Sequence, residues 1–164
     1  MLYLSLGTNL GDLEKNIKTA IEEIERQIGE VVSQSALIHT EPWGFESKNP
    51  FLNACVGVEC SLSAVEVLNL TQSIERKMGR LMKSEKIISS DGAEKVVYHD
   101  RVIDIDILMY DNMVVNTSRL VIPHPLMSKR WFVLKPLSEI AQDVNIPGTS
   151  MSVGEMLRAL EAAS

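Results

Sequence analysis

Apolar residues in this chain recur with two periods, and the order in which the periods alternate leaves few folds open. In LYLSLG, residues 2–7, large apolar residues stand at alternate positions, which predicts a strand. Over residues 13–28 they recur every three or four positions, which predicts a helix that begins after Asp12 and ends at Gly29. Two more strands are predicted from β-prone stretches, at 31–40 and 51–60.

The second half of the chain continues the alternation. Ser63 and Glu66 form a capping-box pattern, and the apolar spacing after them predicts a helix that reaches Leu81. Residues 82–97 are charged and contain Gly and Ser, which predicts a long mobile loop or a hairpin outside the main sheet. RVIDIDILMY, residues 101–110, predicts the next strand. The remaining predicted elements are a short strand at 113–115, one short helix in a proline-punctuated region, and a final helix over 152–163.

The predicted order is β, α, β, β, α, β, followed by C-terminal additions. This order is typical of an α+β fold in which two helices cover one face of a mostly antiparallel sheet. A chain of 164 residues can bury one sizeable core, so we expect a single domain over residues 1–164.

Composition narrows the class of protein. No apolar run approaches the roughly 18 residues that span a bilayer, and the N-terminus lacks a basic segment followed by a cleavage pattern, so we expect a cytoplasmic protein that does not enter the membrane. The net charge of −6 argues against a surface for nucleic acid. Cys55 and Cys60 lie five positions apart on one predicted strand, on opposite faces, and are expected to be packed, unbridged thiols.

Two aspartates interrupt the apolar strand 101–110. Residues two positions apart on a strand share a face, so Asp104 and Asp106 converge while the isoleucines between and beside them face the other way. One interpretation is an exposed sheet face with two solvated acids. The other is a divalent metal site, in which the carboxylates hold Mg²⁺ and phosphate oxygens complete its coordination.

Basic residues around this strand favour a phosphate ligand, although each alone is typical of a solvated surface. They are Arg80, Lys83, Arg101, Arg119, His124, Lys129 and Arg130. The chain has neither of the glycine-rich phosphate-loop patterns, and the turn GTNLG is too short to be one. His124, between two prolines, is either a fixed loop residue or a phosphate contact.

Several motifs stand in one order along nearly the whole chain: LSLGTNLGD, FLNA, a Q-x-x-E helix that ends in GR, R-x-x-D-x-D-I, R-L-x-x-P-H and R-x-F-x-L-x-P-L-x-E-I-A. In these motifs the chain resembles the 6-hydroxymethyl-7,8-dihydropterin pyrophosphokinases of folate biosynthesis. The resemblance implies a ferredoxin-like sandwich and the transfer of diphosphate from ATP to the hydroxymethyl group of a reduced pterin, with AMP as the second product.

The resemblance also implies site residues. Asp104 and Asp106 would hold two Mg²⁺ ions and, with Arg80 and Arg101, form the catalytic set. Positions that match the pterin pocket are Thr40, Trp43, Phe51, Asn53, Phe132 and Tyr98, the last standing where the family often has a tryptophan. Positions that match the nucleotide site are Gln72, Glu75, Arg80, Lys83, Arg101, Ile107, Arg119, His124 and Arg130. Without the resemblance, Phe51 and Phe132 would be expected to pack in the hydrophobic core.

Two departures from the family pattern concern the loop after the second helix. Met82 replaces a second loop arginine, and Lys83 offers a charge without the bidentate fork of arginine. The loop over residues 82–97 is also longer than in compact members. We expect it to be mobile and to close over the substrates, excluding water.

Two alternative functions remain: a binding module for pterin or nucleotide without turnover, and a ferredoxin-like nucleic-acid binder, which the acidic charge disfavours. We expect a monomer.

Overall fold

The computed structural model describes residues 1–41, 49–79, 84–88, 94–98 and 101–164, with the backbone alone at 84–88 and 94–98. In chain order the elements are β1 (Leu2–Thr8), α1 (Leu13–Gln27), β2 (Glu30–Gln34), β3 (Ile38–Thr40), β4 (Phe51–Glu59), α2 (Ala64–Lys77), β5 (Ser84–Ile88), β6 (Glu94–Tyr98), β7 (Asp104–Tyr110), β8 (Val115–Asn116), β9 (Val121–Ile122), a 3-10 helix (Met127–Lys129), α3 (Trp131–Ala141) and α4 (Val153–Ala162).

Five of these strands form the main sheet. The strand order is β2, β4, β1, β7, and β3 pairs with the part of β4 that β2 leaves uncovered. Every pair is antiparallel. The predicted α+β fold and its βαββαβ order are confirmed.

The helix ends follow local capping chemistry. Asp12 accepts a hydrogen bond from the Lys15 N–H at 3.2 Å, and Ser63 accepts one from the Glu66 N–H at the same distance, as both predicted caps require. The second helix, however, ends at Lys77 and not at Leu81. Gly79 has a φ of +101°, and this left-handed conformation ends the helix.

One face of the sheet packs against α1 and α2. Between the sheet and these helices lies a first core. Alternate residues of β1 and β7 and the buried faces of both helices contribute to it. Its fully buried members include Leu2, Leu4, Leu6, Ile17, Ile24, Ile74 and Ile103. Burial of these apolar side chains supplies the main driving force for this layer.

The C-terminal helices cover part of the opposite face. Tyr3, Cys55 and Leu108 contribute to this second core from the sheet, and α3 and α4 contribute apolar residues such as Leu134 and Leu157. The short helix predicted in the proline-rich region is α3, and the predicted final helix is α4. The C-terminal additions therefore form a second layer.

The segment predicted as a loop or a hairpin contains the antiparallel hairpin β5–β6, in which Ser84 pairs with Tyr98. Its mobility and its closure over substrates stay predictions. The predicted strand at 113–115 lies slightly later, at β8, and pairs with β9. None of the helices in the described ranges is long and apolar enough to cross a membrane.

Both cysteines are free thiols on opposite sides of the sheet, as predicted. Cys55 belongs to the second core, whereas Cys60 packs against the first. Burial raises the pKa of the Cys55 thiol, so that it stays protonated.

Gly29 joins α1 to β2 where no side chain fits. A Cβ at this position would lie 2.0 Å from the carbonyl oxygen of Glu59, a backbone atom of the last residue of β4. We therefore expect Gly29→Ala to lower the free energy of unfolding by roughly 2–3 kcal/mol, measured by urea titration. Glu30→Ala, at the neighbouring exposed position, should change it by no more than about 0.5 kcal/mol. Equal effects of the two variants would contradict this account of the close approach.

Candidate active site

The sheet register brings polar residues from β4 and β7 onto one face. Gly7 in the central strand β1 lies opposite Asn53 on one side and opposite Asp104 on the other. Directly paired residues share a face, and neighbouring strands lie about 4.8 Å apart, so Asn53 and Asp104 face the same side at about 10 Å from each other. The next row, two residues along, consists of Cys55, Ser5 and Asp106. On this face, the side chains of β4 and β7 flank a strip of β1 that contains Gly7 and Ser5. We call this strip the trough.

Asp104 and Asp106 stand along one wall of the trough. Both are half-buried, whereas Ile103, Ile105 and Ile107 point into the first core. The predicted division of this strand into an acidic face and a core face is confirmed. The strand itself begins only at Asp104, and residues 101–103 lead into it.

Arg101 forms an ion pair with the first of the two aspartates. Its Nη1 lies 2.9 Å from Asp104 Oδ2, and the two side chains are 8% and 14% exposed. An ion pair with so little water around it is screened weakly, and the positive charge offsets the repulsion between the two carboxylates. Together with Asp106, the pair therefore places one cation and two anions next to the trough.

The donors at this wall fit a hard divalent cation. Two carboxylates on one strand face supply oxygen ligands, which Mg²⁺ prefers, and Mg²⁺ is commonly held by one or two carboxylates plus water and phosphate oxygens. Within the described ranges, no group of three or more His, Cys, Asp or Glu side chains is placed to hold a metal. Two carboxylate oxygens suit an ion that arrives with a phosphate ligand.

A third carboxylate supports the same strand from behind. Glu75, on α2, is 5% exposed, and its Oε2 accepts a hydrogen bond from the Ile105 N–H at 2.8 Å. Ile105 lies between the two aspartates on β7, which is an edge strand of the main sheet, and its N–H points to the glutamate and away from β1. Glu75 thus fixes the segment that carries the acidic pair. Gln72, one turn earlier on α2, is half-buried.

A cavity of about 220 Å³ opens beside Asp106. Ile107 and Leu68 contribute apolar walls, and Arg119 and His124 contribute polar groups. Arg119 is held at the rim by a hydrogen bond from its Nη2 to Asn69 Oδ1 at 2.8 Å. Its apolar walls and few polar groups are of the kind found in small-molecule sites, and its volume is below the roughly 300–1,000 Å³ of pockets that enclose a whole ligand.

His124 is fixed on both sides. Its backbone N–H donates to the carbonyl oxygen of Leu108 at 2.9 Å, which attaches the loop to β7. Its Nδ1 accepts from the Leu126 N–H at 3.2 Å, so in the neutral ring Nε2 carries the proton. The ring can thus donate a hydrogen bond from Nε2.

The two phenylalanines predicted for the pterin pocket each have an arginine over the ring. The Arg101 guanidinium carbon lies 5.6 Å from the ring centre of Phe51, and that of Arg130 lies 5.9 Å from Phe132. Both rings are half-buried and not fully enclosed in a core. An aromatic face can stack on a flat, electron-poor ligand, or it can simply hold the arginine that lies over it.

Asn53 has a fixed orientation. Its Nδ2 donates to Thr40 Oγ1 at 2.8 Å and to the carbonyl oxygen of Ile38 at 3.3 Å. Both hydrogen bonds from Nδ2 go to residues of β3. The other amide atom, Oδ1, lies beside Gly7, since a Cβ built on Gly7 would be 3.4 Å from it. Asn53 therefore presents a hydrogen-bond acceptor toward the trough.

Some predicted site residues lie outside the described part of the chain. These are Trp43, Arg80 and Lys83, and the side chain of Tyr98, whose backbone belongs to β6. The described members of the set come from β3, β4, α2, β7 and the segment that leads into it, and from α3 and the segment before it. Sequence reasoning did not single out Gly7, which stands in the quoted motif LSLGTNLGD and joins Asn53 to Asp104 in the row across the sheet.

Comparisons with known proteins bear on the family of the chain and on its fold. A family model described as 7,8-dihydro-6-hydroxymethylpterin-pyrophosphokinase (HPPK) matches residues 3–142. Proteins named 2-amino-4-hydroxy-6-hydroxymethyldihydropteridine pyrophosphokinase are similar over most of the chain. The one from Porphyromonas gingivalis is 44% identical over 142 residues, which are 86% of this chain and 90% of the relative. The one from Bacillus subtilis is 36% identical over 149 residues, 90% and 82% of the two chains.

Among solved structures, a Plasmodium falciparum HPPK-DHPS crystal structure with SDX-DHP matches 96% of this chain with a TM-score of 0.76 at 14% sequence identity. The chain spans 44% of that longer chain, and at this identity the likeness concerns the fold alone. The match over residues 3–142 and the identity to the bacterial relatives show that the chain belongs to the 7,8-dihydro-6-hydroxymethylpterin-pyrophosphokinase family.

Proposed function

We propose that this chain transfers diphosphate from ATP to the hydroxymethyl group of 6-hydroxymethyl-7,8-dihydropterin, in folate biosynthesis. The observation that carries the proposal is the position of the Asp104–Asp106 pair on the same sheet face as Asn53, across the trough, in a member of this family. The two strands that carry the amide and the carboxylate lie about 10 Å apart, which suits a bicyclic ring with its reactive arm at the acidic wall.

In the proposed reaction the hydroxymethyl oxygen attacks the β-phosphorus of ATP. The bond from that phosphorus to the oxygen shared with the α-phosphate breaks, AMP leaves, and the attacking hydroxyl loses its proton. Enzymes catalyse such phosphoryl-type transfers mainly by positioning the reactants and neutralising charge.

The pterin is proposed to lie in the trough. Asn53 Oδ1 accepts a hydrogen bond from an N–H on the ring edge, and Phe51 and Phe132 contact its faces. Thr40 acts through Asn53, because its Oγ1 holds the amide in this orientation. Trp43 and Tyr98 are proposed to complete this pocket.

The nucleotide is proposed to enter the cavity beside Asp106. Ile107 contacts the base, while Arg119, His124 and Arg130 contact the phosphates or the ribose. Arg101 lies closest to the acidic pair and is proposed to bind the transferred diphosphate. Arg80 and Lys83 are proposed to add positive charge, and Gln72 is proposed to face the nucleotide.

Asp104 and Asp106 would hold the magnesium that accompanies ATP, and two ions are proposed. Bound there, Mg²⁺ would neutralise charge on the phosphate oxygens and make the attacking hydroxyl easier to ionise. A single domain over residues 1–164, a monomer and a cytoplasmic location stay predictions, as does closure of the 82–97 segment.

The reaction itself is tested by identifying its products. We expect the protein, mixed with ATP, MgCl₂ and the reduced pterin alcohol, to form AMP and the pterin diphosphate, and EDTA to abolish turnover. Chromatography separates AMP from ADP. Formation of ADP would contradict the proposal. Binding of both ligands by calorimetry without any product would favour a non-catalytic binding module.

The acidic pair can be tested one residue at a time. Asp104→Ala and Asp106→Ala should each lower kcat/KM by about 10²–10³, equivalent to roughly 3–4 kcal/mol of transition-state stabilisation. Asp111→Asn, one residue past β7, is the matched control and should keep wild-type kinetics. Near-wild-type rates for either alanine variant would rule out its assigned role.

Glu75 is proposed to act through its hydrogen bond to β7, and its role as a nucleotide contact remains a separate prediction. Glu75→Gln keeps an oxygen that can accept from the Ile105 N–H, so kcat/KM should stay within about threefold of wild type. Glu75→Leu leaves that buried N–H without an acceptor, which costs about 1–3 kcal/mol, and it should lower kcat/KM at least tenfold. If the glutamine variant were as impaired as the leucine variant, the negative charge and not the accepting oxygen would be required.

A further inference from the structure

The turn GTNLG between β1 and α1 contains a buried asparagine with a specific partner. Asn9 is 3% exposed. Its Oδ1 accepts a hydrogen bond from the Arg101 N–H at 2.7 Å, and its own N–H donates to the Arg101 carbonyl oxygen at 3.0 Å. Asn9 thus holds both backbone polar groups of a residue 92 positions away.

The turn is itself braced against α1. Asn16 donates from its Nδ2 to Thr8 Oγ1 at 3.0 Å and to the carbonyl oxygen of Leu10 at 2.7 Å. Gly11 has a φ of +83°, in the left-handed region that glycine adopts without strain. The position of Asn9 is therefore set by β1 and α1, which belong to the first core.

Arg101 needs such a support because it precedes the strand. β7 begins at Asp104, so the Arg101 backbone is outside the ladder that β1 and β7 share. Its guanidinium nevertheless has two specific contacts. Nη1 lies 2.9 Å from Asp104 Oδ2, and the guanidinium carbon lies 5.6 Å from the Phe51 ring centre. A displacement of about 1 Å in a group that positions reactants can cost a factor of 10² in rate.

We propose that Asn9 is a positioning residue that acts through Arg101, by fixing the backbone from which the guanidinium reaches the transferred diphosphate. This inference rests on the proposed function of Arg101. It assigns the GTNLG turn a role in catalysis that does not depend on a phosphate-loop pattern, because Asn9 acts through its two hydrogen bonds to the Arg101 backbone.

The test is a double-mutant cycle on kcat/KM with ATP, MgCl₂ and the reduced pterin alcohol. We expect Asn9→Ala to lower kcat/KM at least tenfold and Arg101→Ala to lower it further. The double variant should lie within twofold of Arg101→Ala, because Asn9 has no effect once the guanidinium is gone. Multiplying effects would overturn the inference.

A conservative variant separates the hydrogen bond from general support of the turn. Asn9→Asp keeps an oxygen that can accept from the Arg101 N–H and should recover most of the loss, whereas Asn9→Ser, which is too short to reach it, should resemble Asn9→Ala. If Asn9→Ala does not fold, Asn9→Ser takes its place in the cycle. An aspartate variant as impaired as the serine variant would overturn the inference.

Asn145→Ala is the control for loss of an asparagine that braces a turn. Asn145 donates from Nδ2 to the carbonyl oxygen of Thr149 at 3.1 Å, in the loop before α4, and its loss should leave kcat/KM unchanged. A lack of turnover by the wild-type protein would refute the proposed function and this inference with it. Wild-type turnover that is insensitive to Asn9→Ala would refute this inference alone.

Discussion

The antiparallel pairing of β1 with both β4 and β7 is the constraint on which the rest of the structure depends. β1 is central, and its register places Asn53, Gly7 and Asp104 in one row and Asp106 in the next. Side chains alternate between the faces of a strand, so a slip of one residue would turn both aspartates into the first core. Burying Leu2, Leu4 and Leu6 on that face opposes such a slip, and the hydrophobic core thereby sets the geometry of the site.

The opposite face is only partly covered, and the uncovered part holds the polar residues. An extra residue in β7 marks the boundary between the covered and uncovered parts. Leu4 pairs with Ile107 and Tyr3 with Met109, so Leu108 has no pairing residue in β1. Leu108 and Met109 consequently both enter the second core under α3 and α4, while Asp104 and Asp106 stay beyond the edge of that cover. The same strand thus serves as a wall of the trough at one end and as a packing surface at the other.

Three contacts outside the strand ladder hold this end of β7. Glu75 accepts from the strand edge, Asn9 holds the backbone of Arg101, and Arg101 pairs with Asp104. They come from α2, from the turn after β1, and from the segment that leads into β7. Polar groups with so little exposure are costly unless they are paired, and here each pairing also orients a group next to the trough.

The sequence by itself determined the periodic elements, their order, the two faces of β7, the helix caps at Asp12 and Ser63, and, through its ordered motifs, the family. These features depend on spacing within a few residues, which a sequence displays directly. Tertiary structure alone decided the hydrogen bonds of Asn9 to the Arg101 backbone, the bond from Ile105 to Glu75, the extra residue at Leu108, and the row that joins Asn53 to Asp104 across Gly7. Each of these joins residues that are far apart in the chain or depends on the register of two strands, and the spacing of neighbouring residues carries no record of either.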